Sequence, residues 1–450
     1  MSIRTTIKHE TLKVTVVREA GGAIERPREV NGPMIAAAPA RPVHLPSDER
    51  VATTQRFELV DSIRGFALLG VFWANLLIFS GIEYMTTAQR ASLSASSFDR
   101  IAYFCMRFFI ENKFMGLFSF LFGISFWLFL KRAHVRVSSP TLLFYRRIFW
   151  LFVIGLLHGY LLWCFDILRF YALWAVLLPL FIWMKPRKLL AAALSAAVLV
   201  PAIVAGLRVW LGPAGDSGQA YDAMALFAFA NGSYRDVLVL NWKYDWYLTL
   251  SISQIGYQVA IFGRLLLGLY VARTFDFGNL GKYRRLLVYV LVFGAVWGLA
   301  GSTVHAARLI KGPGMGPLLA FIRELIVEGG QLGLTLAYAS ALAFGFLSSS
   351  FNRLVRAIAP LGRMALSWYL LQTVFGIWLC YGFTHGPALM GKLSPGTIAV
   401  MALTGYLLQV VLARLWLSRF RFGPAEWLWR TLTYWKPQPF RVRAAEQRQT

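Results

Sequence analysis

From Arg56 to Leu417 the chain is a succession of apolar stretches separated by short polar connections, and the stretches approach the ~20 residues that one bilayer crossing requires. The pattern predicts about ten crossings. The first is Arg56 to Gly81, the second Phe114 to Leu130, the third begins after Arg147 and runs to about Trp163, and the fourth is Tyr171 to Met184. Leu189 to Leu211, Ser251 to Ala272, Leu286 to Val304 and Leu325 to Leu347 supply four more; Gly362 to Gly382 and Gly396 to Leu417 complete the set. This is the pattern of an all-α, polytopic membrane helix bundle. The aromatic and charged run before Phe114 suits an amphipathic segment at the interface. Residues 212–250 form the longest polar excursion, an expected outer lid.

Both ends differ from the middle. Residues 1–55 are rich in Arg, Pro and Ala and have no apolar core of a cleavable signal, so they read as a disordered basic cytoplasmic tail, with the first crossing as an uncleaved anchor. The bundle then occupies 56–417, and 418–450 is a Trp-rich amphipathic cytoplasmic segment too polar to cross.

A formal charge of +25 would suggest a nucleic-acid partner in a soluble protein, but with a mean hydropathy of +0.55 it has another meaning. The Lys and Arg gather in alternate connections: Lys131, Arg132, Arg136, Arg146 and Arg147; Lys185, Arg187 and Lys188; Arg273, Lys282, Arg284 and Arg285; Arg353, Arg356 and Arg363. Ten crossings with both termini in the cytoplasm satisfy the positive-inside rule, and anionic phospholipids are the expected bilayer partners rather than nucleic acid. Cys105, Cys164 and Cys380 have no metal-ligand spacing and read as apolar fillers; no metal is expected.

Several residues could carry chemistry. In the first crossing Asp61 and Arg64 are one turn apart, and Asn75 returns to within about 20° of Arg64 on the same stripe. The plain reading is a helix-end ion pair; the functional one is an arginine held by its aspartate and presented to an anion. His158 is the only histidine well inside a predicted crossing and is a candidate general base, the alternative being a histidine bonded to a neighbouring helix. Asp166 is eight residues on, about 12 Å along a continuous helix, and would reach His158 only if the helix ended first. Glu111, at the outer entrance of the second crossing, is the other candidate acidic partner. Arg264 and Glu328 lie deep in their crossings, where one is expected to neutralise the other. Arg363, Arg430 and Arg64 could build an inner, Trp-lined basic pocket for a phosphate-rich ligand, against the alternative of plain positive-inside charge. No P-loop, GxSxG, HExxH or dinucleotide fingerprint is present, so ATPase, serine hydrolase and dehydrogenase readings have no support.

Taken together, DSIRGFALLGVFWANL, KFMGLFSFLFGISF, GLLHGYLLWCFDILRFYAL, GRMALSWYLLQ and FGPAEWLWRTLTYWKPQP resemble the YeiB-like family of bacterial inner-membrane proteins, a domain of unknown function, from Arg56 to Pro439. More faintly, the first motif resembles the transmembrane acyltransferases, which include heparan-glucosaminide acetyltransferases and enzymes that decorate bacterial glycans. The resemblance implies a multi-pass inner-membrane protein with acyl-CoA as a cytoplasmic co-substrate, no bound cofactor, and a lipid or glycan acceptor. It maps the DxxRG motif onto Asp61, Arg64 and Gly65. The acetyltransferases use a histidine near the outer start of their early spans, where this chain has Glu111-Asn112-Lys113, so His158 is the alternative base. The competing reading is a transporter or lipid-binding membrane protein without chemistry; no paired Gly/Pro breaks mark the two halves as a transporter's would.

Overall fold

The computed structural model describes residues 2–8, 11–17, 47–212, 217–250, 252–310 and 316–442. The expected tail differs in part from the reading above: Ser2–Lys8 (β1) and Thr11–Val17 (β2) pair as an antiparallel hairpin, Ser2 opposite Val17, within a unit of its own. The rest of that tail up to Pro46 lies outside the described residues, and helix begins at Ser47, ahead of the expected start at Arg56.

From Ser47 onward the described chain is helical. Its principal helices are α1 (Ser47–Phe79), α2 (Lys113–His134), α3 (Pro140–Leu161), α4 (Pro186–Leu211, with one wide π turn at Ser195–Leu199) and α5 (Ile252–Thr274). There follow α6 (Arg284–Ile310), α7 (Pro317–Leu347), α8 (Ala365–Cys380), α9 (Pro395–Leu417) and α10 (Pro424–Tyr434). Five of these open on a proline, which at the first turn forfeits no hydrogen bond and presets φ. Where α9 begins, the Ser394 side chain also accepts from the Thr397 N–H.

Eight helices of the described chain are long and apolar enough to cross a membrane, against the ten expected. Of the other two, α8 is apolar but has only 16 residues. The predicted fourth crossing is broken: Leu168–Ala175 is helical, but Pro179 follows within a 3-10 turn, Leu178–Phe181. A proline there cannot donate to the helix ladder and its ring crowds the preceding turn. Even so, the chain is a multi-pass helical membrane protein. Its centre is set by burial: the apolar window of α5 is 72% buried, whereas that of the helix containing α6 is 17% buried and presents its apolar side outward.

Close helix crossings shape the cytoplasm-facing end predicted for the bundle. A Cβ on Gly65 of α1 would fall 2.3 Å from the Ile358 carbonyl oxygen, and one on Gly362 would fall 1.8 Å from that of Asp61. Only glycine lets these backbones meet, and their contact brings Arg363 to the same end of α1 as Arg64.

Candidate functional site

The third helix stops at Leu161 because the His158 carbonyl accepts from both Leu162 N (3.0 Å) and Trp163 N (2.9 Å), and the chain turns back. Gly155 and Gly159 permit the return: a Cβ at Gly155 would lie 2.6 Å from Arg169 N and 2.9 Å from Asp166 Oδ1. The turn therefore lays Asp166 against His158. Their Oδ2 and Nδ1 atoms are 2.8 Å apart, and both side chains are buried. The carboxylate also accepts from Arg169 N (2.9 Å, Oδ1) and from the Tyr369 hydroxyl of α8 (3.4 Å, Oδ2). With Nδ1–H directed to a carboxylate, the neutral imidazole carries its lone pair on Nε2, which is buried and has no partner among the described residues.

The surroundings hold this turn firmly. Arg169 donates to the Cys164 carbonyl (3.0 Å) and is ion-paired with Asp245, which accepts from the Tyr160 hydroxyl at 2.7 Å. Asn241 accepts from Cys164 N and donates to the Tyr160 carbonyl. Asn241 and Asp245 come from Tyr234–Leu250, part of the stretch expected to be an outer lid. Burial pushes the Cys164 thiol well above its usual range, so it is an inert filler here.

Beside the pair lies a cavity of about 250 Å³. Tyr369, whose ring centre is 5.2 Å from that of His158, forms part of its wall, as do Ile167 and Asn75; His158 itself does not line it. Asn75 Nδ2 is buried without a partner among the described residues. The opposite end is basic, lined by Arg64, Arg147, Arg363 and Arg430. Arg64 binds Asp61 (2.6 Å) and the Ser125 hydroxyl; Arg147 stacks on Trp429, 3.6 Å from its ring centre. No ion pair engages Arg147, Arg363 or Arg430 among the described residues. The tail helix α10 closes this end: Trp429 donates to the Arg147 carbonyl, and Glu426 accepts from the Leu366 and Ser367 N–H groups and the Ser367 hydroxyl, capping the start of α8. Burial pushes the Glu426 carboxyl above its usual value, and those hydrogen bonds oppose the shift.

Other expected residues stand apart. Glu111 is no partner of His158. It binds Arg107 at 2.8 Å and His305 at 3.2 Å, and Arg107 reaches Glu83 at 3.1 Å. This group surrounds a wide π turn, Met106–Ile110, whose Phe108 and Phe109 carbonyls accept from Ser302 and Tyr338. His305 lies near the end of the apolar helix that contains α6, beyond the expected end of that crossing at Val304. Arg264 and Glu328 pair at 2.8 Å, with Gln331 also accepting from Arg264 at 3.3 Å. No cluster of His, Cys, Asp and Glu suited to a metal occurs among the described residues.

The fold and site define a class: a multi-pass α-helical membrane protein with a buried aspartate–histidine pair beside a cavity that ends in arginines. Residues 271–436 match the family model described as Protein of unknown function (DUF418). The chain is 27% identical over 402 residues to the uncharacterized protein YxaH of Bacillus subtilis (strain 168), covering 86% of this chain and 96% of that one. It is 28% identical over 385 residues to an uncharacterized 39.9 kDa protein encoded in the amylase 3' region of Bacillus acidopullulyticus, covering 85% and 95%. To the uncharacterized protein YeiB of Escherichia coli (strain K12) it is 27% identical over 412 residues, covering 84% and 96%. Over most of its length the chain is thus similar to YeiB and YxaH, and over residues 271–436 to the DUF418 model. Those relatives are themselves uncharacterised, so the chemistry is argued from the site.

Proposed function

We propose that the protein is an acyltransferase of the bacterial inner membrane, with both termini cytoplasmic, that moves an acyl group from a cytoplasmic acyl-CoA to a lipid or glycan acceptor. The observation that carries this reading is the Asp166–His158 pair with its free Nε2, set beside a cavity whose far end holds four arginines. Asp166 fixes the tautomer and steadies the imidazolium when it forms. The acceptor must reach Nε2 from the neighbouring cavity; Nε2 then takes its hydroxyl proton as the acceptor oxygen bonds to the thioester carbonyl carbon. The carbon–sulfur bond then breaks, and the departing thiolate takes the proton from the imidazolium. The arginines hold the donor's phosphates; Arg64 is braced by Asp61, and Asn75 offers an unpartnered N–H to the cavity.

The test is purified full-length protein in nanodiscs with acetyl-CoA and dodecanoyl-CoA as donors and a bacterial envelope extract as acceptor. His158→Gln is expected to lower acyl transfer ~10²–10⁴-fold, the usual contribution of a positioned general base. Donor binding should persist in that variant. Transfer at the unmodified rate by His158→Gln, or no donor binding by the native chain at millimolar concentration, would overturn the reading.

A further inference from the structure

The cavity is polar at its two ends and apolar between them. On α2, Phe118, Phe122, Phe126 and Phe129 recur at intervals of four, four and three, which puts them on one face, and all four line the cavity. Phe144 and Leu151 of α3 face the same space. Two polar landmarks on α1 mark its extent: Arg64 at the basic end and Asn75 at the other are eleven residues apart, about 16 Å of helix. That is about half the ~30 Å hydrocarbon thickness of a bilayer, the depth of one leaflet.

The charge at the basic end is in surplus. Against four arginines stand Asp61, bound to Arg64, and Glu426, bound to the start of α8. A wholly apolar ligand would leave this end uncompensated, and a small hydrophilic anion would leave the phenylalanine sleeve unfilled. From this arrangement we infer that the cavity binds a phosphorylated amphiphile with a single long acyl chain, its phosphate at Arg64, Arg147, Arg363 and Arg430 and its chain in the sleeve. This rests on the proposed function in one respect only, namely that the amphiphile is the acyl donor; on that footing the enzyme transfers long chains in preference to acetyl. A soluble acyl-CoA and a bilayer lysophosphatidate share this chemistry.

Binding is read from tryptophan fluorescence, to which Trp429 at the basic end contributes, with the full-length protein in nanodiscs. The probes are acetyl-, octanoyl- and dodecanoyl-CoA, and octanoyl and dodecanoyl lysophosphatidate. With ten more methylenes to bury, dodecanoyl-CoA is expected to bind at least ~100-fold more tightly than acetyl-CoA. Met115→Trp, which fills the far end, should cancel most of that gain. Phe122→Ala, which widens the sleeve, should change the chain-length profile if the first variant fails to fold. Arg147→Gln should weaken every chain length by a similar factor. Tighter binding of the lysophosphatidate series places the source in the bilayer, and tighter binding of the thioesters places it in solution; either supports the inference. Equal affinity for acetyl and dodecanoyl chains, or a chain-length gain unaltered in both Met115→Trp and Phe122→Ala, would overturn it. His158→Gln separates the two ideas. Intact chain-dependent binding with no His158-dependent transfer removes the proposed function alone, whereas transfer with a flat chain series removes this inference alone.

Discussion

His158 and Asp166 are eight residues apart, which a continuous helix would turn into about 12 Å, yet their side chains meet at 2.8 Å. The difference is made by the stop at Leu161 and by two glycines that let the chain fold back. The histidine was legible in the sequence because an imidazole in an apolar run is conspicuous. The residues that brace the pair were less so: Tyr369, Asn241 and Asp245 reach the site through tertiary contacts that no spacing encodes. His305 was missed because its helix runs further than its apolar core. Asp166→Asn keeps the volume but replaces one acceptor oxygen by an amide donor facing Nδ1, and so favours the wrong tautomer. Acyl transfer is expected to fall ~10³-fold or more. Stability should fall by ~1–3 kcal/mol as buried donors lose their acceptor. Donor turnover and thermal unfolding followed by tryptophan fluorescence check the two effects, and an unchanged rate would remove the dyad from the mechanism.

At the level of helices, apolar length located eight crossings, but length alone could not show that Pro179 breaks the predicted fourth or that α8 is short. Nor could it reveal which glycines are crossing points. The Gly65 and Gly362 contact is one, and it governs the basic end of the cavity, since Arg64 and Arg363 flank it. Gly362→Ala forces a methyl into the Asp61 carbonyl and must part the two segments. An overpacking cost of ~1–3 kcal/mol is expected, together with weaker binding of any phosphorylated donor. A melting temperature and donor affinity equal to those of the native protein would show that the crossing has no such role.

Over the whole molecule, Arg264 and Glu328 lie 2.8 Å apart and join α5 to α7. Removing one partner strands a buried charge, so Glu328→Gln should cost ~3–5 kcal/mol, while Arg264→Met combined with Glu328→Gln should recover much of the loss. Unfolding in a graded denaturing detergent measures both, and a double variant no more stable than the single one would contradict the account. The basic clusters that suggested sidedness also supplied Arg147 and Arg363, but Arg430 joins them and Arg64 only through α10, whose Trp429 and Glu426 tie it to α3 and α8. That helix is synthesised after every crossing. The aspartate–histidine pair, built within α3 and the turn that follows it, can therefore form before the basic end of the cavity has its α10 wall. Docking of α10, rather than the placing of the crossings, is what completes the cavity wall.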